Sequence, residues 1–259
     1  MRTSSPALNT NTFAQFRDNL ESQTQAEKNQ MTVQGAVNRT GVLLLVCFGS
    51  ATWTWSTFYQ AIQLYGVEAG FSAVMPYLGG GVLGGLLLAL VTIFKKEWAM
   101  VTAPLYALCE GFFLGGISAA VELYYSGIAL QAATATLGVL LAMLALYTTR
   151  VIKVDNKMMM IIASATFGIF MVYMANWVLG IFGVSIPFIH SSGPMGIVFS
   201  LAVVVIAALN LLMDFKLIED GAKAKAPKFM EWYSAFALMV TLVWLYVEIL
   251  NLLSKLRDR

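Results

Sequence analysis

An all-α integral membrane protein, a seven-transmembrane-helix bundle, is the fold class that three features of this sequence predict. The 259-residue chain is 59% hydrophobic and 12% charged, with a mean hydropathy of +0.74. Soluble domains hold about 25% charged and about 45–50% apolar residues, and no soluble fold of this size has room to hide so much apolar surface. The apolar residues also fall into seven runs, each long enough to cross ~30 Å of hydrocarbon, which takes about 20 helical residues. Finally, the runs are continuously apolar instead of alternating, which selects helices over a β-barrel.

The first 38 residues, including FAQFRDNLESQTQAEKNQ, form a polar tail. A short amphipathic helix near 13–20 is the one local structure it offers, and mobility is the default expectation. No short apolar core with a cleavage site opens the chain, so the first span acts as its own uncleaved signal. The spans are predicted at 41–64, 71–94, 99–121, 127–149, 158–186, 194–213 and 231–253. Short connections join them, so residues 39–259 make one transmembrane domain. In the second span Gly79, Gly80, Gly81, Gly84 and Gly85, and in the third Gly111 and Gly115, are small residues that let helices approach closely in lipid. Packing is therefore the expected use of these glycines, ahead of a ligand-binding loop. Pro76 and Pro104 suit the first turns of their helices, while Pro187 and Pro194 frame the turn FIHSSG. The six tryptophans, Trp53, Trp55, Trp98, Trp177, Trp232 and Trp244, read as interfacial anchors and packing groups. Cys47 and Cys109 lie within spans without metal or redox spacing and read as small apolar packing residues.

Charge sets the expected orientation. Arg2, Arg17, Lys28 and Arg39 lie in or beside the tail, Lys95 and Lys96 in the second connection, and Arg150, Lys153 and Lys157 in the fourth. The sixth carries Lys216, Lys223, Lys225 and Lys228, whereas the first, third and fifth connections hold no Lys or Arg. This bias predicts a multi-pass protein with its N-terminus in the cytoplasm. Lys255, Arg257 and Arg259 break the pattern. Either a short basic tail is tolerated on the far side, or the last helix does not fully cross.

The net charge of +2 gives no sign of nucleic-acid binding. Enzymatic activity lacks residues to carry it. There is no Gly-rich phosphate loop beside a lysine, no Ser–His–Asp set at plausible depth, and no histidine-based metal cluster, since His190 is the lone histidine and falls in a turn. No cofactor is expected. What does stand out is carboxylates in apolar spans, because an ionised side chain at the bilayer centre costs about 2.5–3.5 kcal/mol on insertion scales. Glu110, midway along the third span in LYALCEGFFLGG, must be protonated, paired or facing water, and Tyr106 one turn earlier can donate to it. Asp214 follows Asn210 by one helical turn at the end of the sixth span, so both lie on one face. Glu231 opens the last span, where an acid also favours the helix dipole. Glu248 lies deep within that span, in LYVEILNLL, with Lys255 and Arg257 within reach. Carboxylates with few cations around them suit a cation or a proton, whose hard charge prefers oxygen. Asp214 and Glu110 are the candidates to meet calcium.

The chain resembles the Bax inhibitor-1 family in its bacterial YccA-like branch over about residues 31–256. The resemblance rests on the seven-span layout, KKEW ahead of PLYALCEGFFLGGIS, the IPFIHSSGP turn, and the paired segments NLLMDFKLIEDG and WLYVEILNLL. It implies six helices around a central last one and a proton-sensitive calcium leak in the bacterial inner membrane. Acids of the last two helices would form the switch. It also implies association with a membrane-bound protease, which suggests an alternative role as a non-transporting modulator or substrate of that protease. Asp214 and Glu110 match family acids. Glu248 fits the local motif of the second switch acid. Helix geometry, at 1.5 Å per residue, instead sets the depth of Asp214 opposite Ala235 to Met239, more than about 10 Å from Glu248. Met239 is expected where the partner acid should stand.

Overall fold

The computed structural model describes residues 29–183 and 191–258. Among the described residues, seven helices, each long and apolar enough to cross a membrane, make up the fold. They are α1 (Val33–Tyr65), α2 (Val67–Phe94), α3 (Ala99–Tyr124), α4 (Ile128–Thr148), α5 (Asn156–Ile181), α6 (Pro194–Lys223) and α7 (Met230–Arg257), with a 3-10 turn at Lys96–Trp98 before α3. The expected amphipathic helix near 13–20 and His190 lie outside the described residues.

Two helices run well beyond their predicted limits. α1 starts at Val33 instead of residue 41, because Thr32 caps it by accepting from the backbone N–H of Gly35. α6 continues to Lys223 instead of stopping at 213, because the charged stretch FKLIEDGAK remains helical, stapled by a Lys216–Asp220 pair at 2.6 Å. The prolines lie deeper than expected, although α3 starts at Ala99 as predicted and only α2 starts early, at Val67. Pro76 and Pro104 sit inside α2 and α3, not in their first turns, and deprive the carbonyls of Ser72 and Met100 of their usual donors.

α7 is the most buried span and packs on α1, α3, α4 and α6. Leu211 of α6 and Leu245 of α7 are fully buried in the largest core cluster. α2 stands outside this group, against α1 and α3, while α5 packs on α6 and is the least buried span. α7 is thus central, but four of the other helices form the close shell around it.

Glycine packing centres on α3. A Cβ on Gly111 would come within 1.9 Å of Ser50 Oγ, and one on Gly115 within 2.3 Å of the Ala51 carbonyl, so both seat α3 directly on α1. On α2, Gly81, Gly84 and Gly85 face Cys109, Phe113 and Glu110 of α3, whereas Gly79 and Gly80 have nothing within 4 Å. Cys47 is buried and, like Cys109, is a free thiol in a helix contact.

The last helix does cross the whole bundle. At its start, Lys228 N donates to Asn29 O (2.8 Å) and Met31 N to Ala226 O (2.7 Å), strapping the chain ahead of α1 onto the α6–α7 loop. At its other end, Lys255 reaches the first turns of α6, and Arg257 donates to Ser126 O (2.7 Å) and Gln131 Oε1 (3.0 Å) beside the α3–α4 turn. Two of the three cations that break the charge pattern, Lys255 and Arg257, are thus engaged by oxygens at that end, while Arg259 lies outside the described residues.

Candidate functional site

The acids of the last two helices do not meet one another. They are spaced along a polar seam shared by α5, α6 and α7. Asn210 and Asp214, one turn apart on α6, are both buried. The Asn210 amide donates to Thr166 Oγ1 on α5 at 2.8 Å and to the Ile206 carbonyl at 2.8 Å. Asp214 turns toward α7, where the Thr241 hydroxyl donates to its Oδ2 at 2.6 Å. Thr241 is the partner that sequence geometry assigned to Met239. Met239 packs with Leu43, Ala103 and Tyr106, on the side of α7 that faces α1 and α3. Two positions on, the helix has turned about 200° toward α6.

Glu248 lies two turns past Thr241, about 10 Å along the axis. It is 5% exposed, and its Oε1 accepts from Tyr173 of α5 at 2.9 Å and from the Trp244 indole at 3.2 Å. Among the described residues its buried Oε2 has no hydrogen-bond partner, and Asn251 and Lys255 are further polar neighbours of the carboxyl group. Lys255 is itself buried and donates to Ser200 Oγ at 2.8 Å, with the Gly196 carbonyl at 3.5 Å. From Asp214 to Lys255 the seam therefore carries a carboxylate at two depths and a buried ammonium near the end where α7 finishes. Among the described residues no ion pair engages Asp214.

The other two acids stand apart. Glu110 lies against Gly85 of α2, with the Tyr106 hydroxyl beside it as the sequence suggests. It therefore occupies the α2–α3 seam, not that of Asp214, and the two acids expected to meet calcium are not brought together. Among the described residues no three His, Cys, Asp or Glu side chains assemble into a metal site. Glu231 is 3% exposed and serves the start of α1. Its Oε1 accepts from Thr32 N at 3.2 Å and Thr32 Oγ1 at 3.0 Å, and Arg39 lies 3.9 Å from Oε2. This is a tertiary cap on a helix N-terminus, satisfying a donor that the helix leaves open. A cavity of about 1160 Å³ opens between α1 and α4 and is walled by groups such as Leu44, Phe48, Leu137 and Leu242. None of the acids lines it, so it is no route for a charge.

Asp214 deep within α6, Glu110 before Gly111 in α3 and a central α7 are in keeping with the resemblance read from the sequence. The model for proteins described as Bax inhibitor 1 like matches residues 9–258. The chain belongs to the Bax inhibitor 1 like family. No curated protein and no solved structure matches it. For this Bax inhibitor 1 like protein the site of interest is the α5–α6–α7 seam, and several of its members escaped the sequence reading. Thr166, Tyr173, Ser200 and Thr241 are ordinary residues in apolar spans, where hydroxyls commonly bond to their own helix. Thr241 also approaches the Ala237 carbonyl at 3.4 Å. Lys255 gave the one usable signal, a cation seven residues after Glu248 and so on the same face of the helix.

Proposed function

We propose that this protein is a pH-sensitive cation leak channel of the bacterial inner membrane, with calcium as the permeant ion and the N-terminus in the cytoplasm. The reading rests on the buried Asp214 carboxylate, whose hydrogen-bonding partner across the α6–α7 seam, among the described residues, is the neutral Thr241 hydroxyl. A carboxylate at that depth with a neutral partner is a natural stopping place for a cation or a proton. Asn210 and Thr166 extend the line of oxygens on one side, and Tyr173, Glu248 and Asn251 carry it toward the end where α7 finishes. Glu110 stands off this path, in the α2–α3 seam, and Glu231 anchors the helix that carries Thr241. The proposal includes no catalytic step and no cofactor.

Proton uptake by Asp214 supplies the pH response. As a carboxylate it accepts a charge-assisted bond from Thr241, roughly twice as strong as a neutral one. Protonation weakens that bond and loosens the seam, so calcium flux should rise as pH falls from about 8 to about 6. The test is calcium entry into liposomes holding the wild type or Asp214→Asn. The neutral variant is expected to conduct at a rate that no longer responds to pH. Equal pH dependence in the two proteins, or no flux in either, would sink the reading.

A further inference from the structure

Where α4 and α6 end, a polar cleft of about 230 Å³ opens at the level at which the spans stop. Tyr147, Arg150 and Lys153 form one wall, and Lys216, Glu219 and Lys223 the other. Both nearby carboxylates are already engaged. Glu219 accepts from Lys223 and from the Tyr147 hydroxyl, and Asp220 pairs with Lys216 at 2.6 Å. The charge left over belongs to Arg150 and Lys153.

Arg150, like Lys225 after α6, takes a left-handed backbone, which places its side chain without itself marking a ligand. It has φ +57° immediately after α4, with its N–H bonded to the Tyr147 carbonyl at 3.1 Å. Glycine is the usual residue at such a helix end, because a Cβ is strained there. A cation near a helix C-terminus eases the dipole, but Lys223 and Lys216 already supply cations on the adjoining helix. Exposed apolar side chains such as Leu144 of α4 and Met160 and Ile161 of α5 begin next to the cleft.

We propose that this cleft binds the phosphate-bearing headgroup of an anionic phospholipid, with the acyl chains lying along α4 and α5. The guanidinium of Arg150 suits two phosphate oxygens at once, Lys153 adds a second charge, and the Tyr147 ring offers an aromatic flank at headgroup depth. The binding does not depend on conduction, so it stands or falls separately from the leak. The test is native mass spectrometry of the purified full-length chain titrated with phosphatidylglycerol or with phosphatidylcholine of the same chain length. The wild type should retain phosphatidylglycerol preferentially, and Arg150→Gln with Lys153→Gln should lower that retention by about fivefold for each charge removed. Arg150→Gly, which relieves the backbone, provides a well-folded variant that should also lose retention. Lys95→Gln with Lys225→Gln removes as much charge at the same end of the bundle but outside the cleft, and should leave binding intact. Equal losses in the two double variants, no preference between the lipids, or complete displacement of lipid by millimolar inorganic phosphate would each overturn the proposal.

Discussion

Thr241 shows how much one hydroxyl can decide. It is the group that gives Asp214 a partner on α7, yet a bond of this kind between membrane helices is worth only about 0.6 kcal/mol on average. Thr241→Val should therefore change thermal stability in detergent by roughly 0.6–1.7 kcal/mol at most, while shifting the pH at which calcium flux responds. Thr241→Ser should restore the wild-type profile. An unchanged profile in the valine variant would show that Asp214 does not act through this bond. At this scale the sequence was legible for acids and not for their partners. A carboxylate in an apolar run announces a cost, so Asp214, Glu110 and Glu248 could be picked out by composition alone. A threonine carries no such cost, and its partner depends on which way α7 faces.

At the scale of elements, the existence of all seven helices could be read from apolar run length, but their limits could not. α6 outruns its apolar run because the Lys216–Asp220 and Lys223–Glu219 pairs hold a charged segment helical. α1 begins early because Thr32 and Glu231, distant in sequence, complete its first turn. Glu231 thus reads equally well as a site acid or as a cap until the fold brings Thr32 to it. Glycine use was legible as a class, and the structure separates its members. Gly115→Ala should lower stability by about 1–3 kcal/mol, the usual cost of overpacking, because its Cβ would press on the Ala51 carbonyl at 2.3 Å. Gly79→Ala, with nothing within 4 Å, should be neutral. Comparing melting temperatures of the two variants in one detergent checks the assignment, and equal effects would count against it.

For the molecule as a whole, the charge bias foretold that even-numbered helices finish at one end, and the ordered contacts of Lys255 and Arg257 show how the basic end of α7 is accommodated at the other. The centrality of α7 followed from family resemblance and from no periodicity in the sequence, since every span is apolar around most of its circumference. The place of α5 was not legible at all. It packs on α6 alone among the larger helix contacts, yet it supplies Thr166 and Tyr173 to the polar seam. A helix held so lightly takes its tilt from the surrounding lipid as much as from its neighbours. Bilayer thickness therefore becomes an input to the protein alongside pH. Thinner membranes should tip α5, draw Tyr173 from Glu248 and raise the leak, which flux measured in liposomes of graded acyl-chain length will reveal; a rate indifferent to chain length would fix α5 as a rigid wall.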